Sequence, residues 1–133
     1  LMSSHADLAI EMPTGPEILS GSTRLKAGTA TKMALNMMTT LSMVQLGKVY
    51  KNLMVDMKPS NNKLKDRSVR IIKNALELSS REKAEQLLAA SQGQVKAAIV
   101  MGLTGASLEQ TRDALASEEG FVRRAAQRIK EGL

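Results

Sequence analysis

The chain has 133 residues, 43% of them apolar and only 2% aromatic, with no Cys and a formal charge of +6. That length allows one compact domain or two very small ones. The composition excludes a disulfide framework and a thiolate metal site, and His5 alone cannot build a zinc site. It reads instead as an exposed residue near the chain start.

Tyr50 and Phe121 are the two aromatic residues, so the core must be built from Leu, Ala, Ile, Val and nine Met, a composition that favours helices. Basic charge can attract nucleic acid, phosphate or an anionic surface. Here the cations are spread along the chain, densest from Lys58 to Lys73 and broken there by Asp66. Without stacking aromatics the pattern does not point to a nucleic-acid binder. No apolar run approaches the length that crosses a bilayer. The opening LMSSHADLAIE lacks the basic start and apolar middle of a signal peptide. A cytoplasmic setting fits a chain with no Cys.

In chain order, ADLAIEM (Ala6 to Met12) alternates imperfectly and stops at Pro13, which reads as a short strand. One strand cannot satisfy its own backbone groups. Its sheet partners are therefore expected elsewhere, and the chain reads as the C-terminal portion of a longer protein. Pro13 to Thr23 is a loop by composition. Helical pattern then runs from about Arg24 to Gly47, with Leu25, Met33, Leu35, Met37, Met38, Leu41, Met43, Val44 and Leu46 spread around it. A helix apolar nearly all round is expected to be buried, between a sheet and another helix or at a subunit boundary.

VYKNLMVDMK (Val49 to Lys58) reads as an apolar connector, ended by Pro59, with Ser60 and Asn61 as candidate N-caps. Asn62 to Leu78 is an amphipathic helix, with Leu64, Val69, Ile72, Ala75 and Leu76 inward and the cations of the same stretch solvated. Ser80 caps the next helix, which Gly93 ends. Gln94 to Leu103 forms another, stopped at Thr104 and Gly105. Ser107 opens a third, with Glu109 and Gln110 near the N3 position of a capping box. Gly120 breaks the pattern again, and Phe121 to Glu131 makes a last helix. KAEQLLAASQGQVKAAIVMGL resembles the helix–Gly-x-Val–helix core of ubiquitin-associated-type domains, which implies a shape and not ubiquitin binding.

The stretch that could carry chemistry is TGPEILSGSTRLKAGTATK (Thr14 to Lys32). Gly15, Gly21 and Gly28 permit tight turns. Ser20, Ser22 and Thr23 place hydroxyls just before a helix start, where free N–H groups and the dipole favour an anion, and Arg24 and Lys26 add positive charge. Such a set could hold a phosphate or a polyhydroxylated sugar. It could equally be a capped turn, with Ser22 or Thr23 closing the helix and the cations solvated. The spacing is not that of a P-loop.

GPEILSGSTRLKAGTATK closely resembles the signature shared by bacterial N-acetylmuramic acid 6-phosphate etherases and the animal glucokinase regulatory protein. The likeness continues through MALNMMTTLSMVQLGKVYKNLMVDMKPSNNKLKDR into the terminal helices. GKVYKNLMVDM looks more like the etherase branch. The resemblance implies an α/β sugar isomerase-type domain, of which this mainly α chain would hold the last strand, the signature loop and the following helices. Residues 1–58 would then be the end of that domain with the loop at 14–32, residues 59–79 a connecting helix, and residues 80–133 a small ubiquitin-associated-like module of three to four helices.

The resemblance further implies cleavage of the D-lactyl ether of N-acetylmuramic acid 6-phosphate to N-acetylglucosamine 6-phosphate and D-lactate in peptidoglycan recycling. The implied protein is a cytoplasmic homodimer with no metal or organic cofactor. The family's acid and base glutamates match no position here. Glu17 lies inside the signature without matching either, and reads as a loop anchor that accepts from backbone N–H. Ser22 and Thr23 match the paired hydroxyl positions that touch the sugar phosphate in the regulator, and Arg24 and Lys26 match its basic positions. The alternative that this likeness leaves open is a non-catalytic phosphosugar sensor of the regulator type.

Overall fold

The computed structural model describes residues 2–132. Leu1 and Leu133, the outermost residues of the expected spans 1–58 and 80–133, lie outside the described residues. The chain divides into two compact units, Leu1–Ser42 and Met43–Leu133.

The first unit opens on a short 3-10 turn, Met2–His5, and His5 is exposed. The strand expected over Ala6 to Met12 does not form: the segment has no ladder and lies exposed. Alternation is a local signal, but a strand also needs a partner for its backbone groups, and among the described residues none pairs with this segment. Most of α1, Lys26–Gln45, falls in this unit. It starts two residues later than the apolar pattern suggests, because the turn at Ser22 to Leu25 is still forming there.

Within this chain none of the residues of α1 is buried. Met37 is 57% exposed and Leu41 61%. Four of its hydroxyls are satisfied internally: Thr29, Thr31, Thr39 and Ser42 each donate to the carbonyl four residues back, at 2.7 to 2.9 Å. Those back-bonds turn the hydroxyls inward, and the helix exposes Met33, Leu35, Met37, Met38, Leu41, Met43 and Val44 alongside Lys32, Asn36 and Thr40.

In the second unit the connector after α1 folds as a hairpin. β1 (Val49–Tyr50) pairs antiparallel with β2 (Leu53–Met54), Val49 facing Met54 and Tyr50 facing Leu53. Lys51 sits in the left-handed region at φ 55°. Its ammonium lies 2.9 Å from Glu77 and 3.4 Å from the Ala75 carbonyl, so the turn is tied to the end of the next helix.

Five helices follow: α2 (Asn62–Ala75), α3 (Arg81–Ala90), α4 (Val95–Thr104), α5 (Leu108–Ser117) and α6 (Val122–Lys130). Three of the expected caps are in place. Asn61 accepts from the Leu64 amide, Ser80 from Lys83, and Ser107 from Gln110, whose own side chain returns a bond to the Ser107 amide. Each satisfies an otherwise orphaned N–H of a first turn. α2 ends before the expected Leu78 because Glu77 turns left-handed at φ 54°, and the Leu78 amide then reaches back to the Lys73 carbonyl at 2.9 Å.

α4 is the centre of this unit. It packs against α2, α3, α5 and α6, and Val95 and Ala97 to Val100 are all buried. Around it lie Val55, Val69, Ile72, Ala75, Ala84, Leu88, Val122 and Ala125. The many alanines let helix backbones approach closely, while Ile72 and Ile99, both at 0% exposure, supply the bulk. Each such isoleucine stabilises the fold by about 1.5–3 kcal/mol through burial. α2 shares this core with α3 to α6, so the residues after position 80 do not pack only among themselves.

Candidate functional site

The loop before α1 is built from backbone bonds. The Ser22 amide donates to the Leu19 carbonyl at 3.0 Å, Thr23 to Gly21 at 3.1 Å, and Leu25 to Ser22 at 3.3 Å. The Gly28 amide then donates to the Thr23 carbonyl at 2.8 Å, joining the loop to the first turn of the helix. Gly21 makes the bend possible: its φ is 80°, a region that side chains rarely adopt.

The helix end is capped by a residue distant in sequence. Glu17 accepts from the Lys26 amide through one carboxylate oxygen at 2.9 Å and from the Ala27 amide through the other at 3.0 Å. Those N–H groups, first Ala27 and then Lys26, hold the Glu17 carboxyl below the ordinary glutamate range. The expected loop-anchoring role of Glu17 is what the geometry shows. The alternative expectation, a Ser22 or Thr23 side chain closing the helix, is corrected. A carboxylate reaching back from Glu17 satisfies the first amides, and its charge also matches the positive end of the helix dipole.

The four residues expected to touch substrate fall together on this loop. Ser22 is half-buried, Thr23 and Arg24 are exposed, and Lys26 is the exposed first residue of α1. Among the described residues the hydroxyls of Ser20, Ser22 and Thr23 have no hydrogen-bond partner, and Arg24 has no ion pair. These groups are chemically uncommitted, and two or three hydroxyl donors beside a guanidinium suit a phosphate ester. The loop brings together no acid–base pair of its own, because the carboxylate of Glu17 is occupied by two amides.

Elsewhere, a surface cleft between α2 and α3 is lined by Pro59, Lys65, Val69, Glu85, Leu88 and Gly93, and it gathers none of the loop residues. Among the described residues no group of three or more His, Asp or Glu comes together that could hold a metal ion. No described helix is long and apolar enough to cross a membrane.

Residues 51–97, which run from the hairpin turn into α4, match the family described as the C-terminal lid domain of glucokinase regulatory protein. Over 126 residues the chain is 53% identical to an N-acetylmuramic acid 6-phosphate etherase of Geobacillus sp. (strain WCH70), covering 95% of this chain and 42% of that protein. It is 51% identical over 126 residues to N-acetylmuramic acid 6-phosphate etherase 2 of Vibrio cholerae, covering 95% of this chain and 41% of that one. For the Salmonella schwarzengrund etherase the figures are 51% identity, 93% and 41%. The chain thus spans about two fifths of the length of these curated relatives. Over the part that it spans, it is a relative of the N-acetylmuramic acid 6-phosphate etherases.

Proposed function

We propose that the protein to which this chain belongs is an N-acetylmuramic acid 6-phosphate etherase, a carbon–oxygen lyase. It would release D-lactate and leave N-acetylglucosamine 6-phosphate during peptidoglycan recycling. The observation that carries this reading is half identity to named etherases over nearly the whole chain.

Within that protein the chain supplies substrate binding. Ser22 and Thr23 receive the sugar phosphate, with Arg24 and Lys26 beside them, while the acid and base that break the ether are carried by sequence other than this. The division into the end of a sugar isomerase-type domain (1–58), a connecting helix (59–79) and a ubiquitin-associated-like terminal module (80–133) belongs to the same reading. The exposed apolar surface of α1 supports a homodimer in which that helix meets other protein. The reading places the protein in the cytoplasm, with no organic cofactor, metal, membrane or nucleic-acid partner.

The test is lactate release from N-acetylmuramic acid 6-phosphate by the full-length protein. Turnover supports the reading, and binding without turnover rejects it. The match of residues 51–97 to the regulator's lid domain favours a second reading, a phosphosugar sensor. That reading predicts binding of sugar phosphates with no lactate released at any enzyme concentration.

A further inference from the structure

The placement of Glu17 has a chemical consequence for any anion that approaches this loop. Both carboxylate oxygens are engaged, one on the Lys26 amide at 2.9 Å and the other on the Ala27 amide at 3.0 Å. These are amides of the first turn of α1, the groups that an incoming phosphate would otherwise find at a helix start. They are already filled by a negative charge from the same chain.

The carboxylate also closes the mouth of the loop. Residues 18 to 25 lie between the two ends of the clasp, and within them Ser22, Thr23 and Leu25 make the short backbone bonds that set the turn. Ile18 and Leu19 on this loop are 95% and 62% exposed, so apolar packing does not hold the loop in place. The Thr29 amide and hydroxyl hold the Leu25 carbonyl at the end of the loop, and the Glu17 clasp and the Thr23–Gly28 backbone bond fix the turn before it to the helix.

We propose that Glu17 is a positioning residue for phosphosugar binding: it holds the Ser22–Thr23–Arg24 turn in its receiving geometry and keeps the ligand phosphate off the helix amides. This inference rests on the phosphosugar reading of the loop. Glu17 does not touch the ligand. It acts through the Lys26 and Ala27 amides, so that the hydroxyls of Ser22 and Thr23 are ordered before the sugar arrives. A preordered loop loses less conformational freedom on binding and therefore binds more tightly.

The experiment measures the Kd of N-acetylglucosamine 6-phosphate by calorimetry on the full-length protein, together with its Tm. It compares Glu17→Ala, Glu17→Gln, Glu17→Asp and the double variant Ser22→Ala with Thr23→Ala. The expected result is a Kd raised about 10- to 100-fold by Glu17→Ala, at a Tm close to that of the parent. Glu17→Gln keeps one accepting oxygen of the same reach but turns an NH2 toward the second amide, so it recovers only part of the affinity. Glu17→Asp keeps both oxygens but falls one methylene short, and it too recovers only part.

If Glu17→Ala leaves Kd within twofold while the double variant weakens binding, the positioning role is overturned and the phosphosugar reading stands. If neither changes Kd, the reading of the loop falls and this inference falls with it. Should Glu17→Ala fail to fold, the conservative pair decides: folded Glu17→Gln and Glu17→Asp that both bind within twofold of the parent overturn the proposal.

Discussion

Gly102 on α4 lies directly under Leu76, the residue that caps the end of α2. A Cβ built on Gly102 would fall inside the contact radius of Leu76 Cδ1 and stand 3.2 Å from Cδ2 and 3.3 Å from Cγ. The absent side chain is what lets α2 and α4 close on each other at this end, while Ala75 just before Leu76 and Ile72 one turn earlier pack into the core.

Gly102→Ala therefore sets two effects against each other. Alanine is the better helix former by about 1 kcal/mol. The added methyl also forces Leu76 out of its place, and overpacking of this kind costs about 1–3 kcal/mol. The clash is with the far end of a flexible side chain, so the fold survives. The expected net outcome is a lower urea midpoint with an unchanged slope. Leu76→Ala in the same chain should make Gly102→Ala less harmful than it is alone, which a double-mutant cycle would read as coupling.

Much of the second unit was legible in the sequence because its signals are local. Asn61, Ser80 and Ser107 each stand before an apolar-periodic run, and each caps a helix. Gly93, Gly105 and Gly120 mark helix ends and all have positive φ. What sequence could not show depends on contact. The turns at Lys51 and Glu77 use left-handed backbone without glycine, and the two residues pair with each other at 2.9 Å across 26 positions. No local pattern announces such a pair. The apolar pattern of α1 was likewise correct as a pattern, but periodicity does not say what a helix meets. The anchoring of the loop by Glu17 was readable from its place before a helix start. That both oxygens would be used, on amides nine and ten residues away, was not.

The capping box on α5 offers a clean measurement. Ser107 Oγ accepts from the Gln110 amide at 3.2 Å, and Gln110 Oε1 accepts from the Ser107 amide at 3.0 Å. Ser107→Ala removes the first bond and should lower stability by about 0.5–2 kcal/mol. Ser107→Asp should recover most of it, since its carboxylate can accept from the same amide and also suits the helix dipole. Denaturant unfolding monitored by circular dichroism checks both. A Ser107→Ala protein as stable as the parent would show that the Ser107 hydroxyl bond contributes nothing to the α4–α5 corner.

Asp66 links two helices by charge. One oxygen lies 2.8 Å from Arg70 on its own helix, and the other 2.8 Å from Arg81 at the start of α3. The Arg81 hydrogen bond is the main cause that holds the Asp66 carboxyl below the ordinary aspartate range; burial opposes it, and the charges of Arg70 and Arg81 with the Arg70 hydrogen bond lower it further. A carboxyl lowered in the folded chain stabilises it fully above its unfolded value, and that stabilisation is lost as pH falls through the lowered folded value. The acid limb of the stability curve should thus flatten in Asp66→Asn, with the difference from the parent confined to pH values at and above that window. Asp66 is 41% exposed at its side chain, so solvent screens the pair and the Tm change at neutral pH stays small. The difference should shrink further in 1 M salt, where charges are screened within roughly 3 Å.

Thr111 provides the test whose sign is least expected from composition. It lies on α5 at 0% exposure, and its Oγ1 has no hydrogen-bond partner among the described residues. Its backbone is satisfied, with the amide donating to the Ser107 carbonyl at 3.0 Å, so the unpaired group is the hydroxyl alone. A buried hydroxyl without a partner costs about 1–3 kcal/mol relative to one that is bonded. Valine has nearly the same shape and no polar atom. Thr111→Val should therefore raise stability, by about 1 kcal/mol, where the usual substitution in a core lowers it. Thr111→Ser keeps the hydroxyl and removes a methyl, and should be destabilising by about 1 kcal/mol from the lost apolar burial. Thermal unfolding of the two variants would order them as valine, parent, serine. A valine variant less stable than the parent would mean that the Thr111 hydroxyl is bonded in solution.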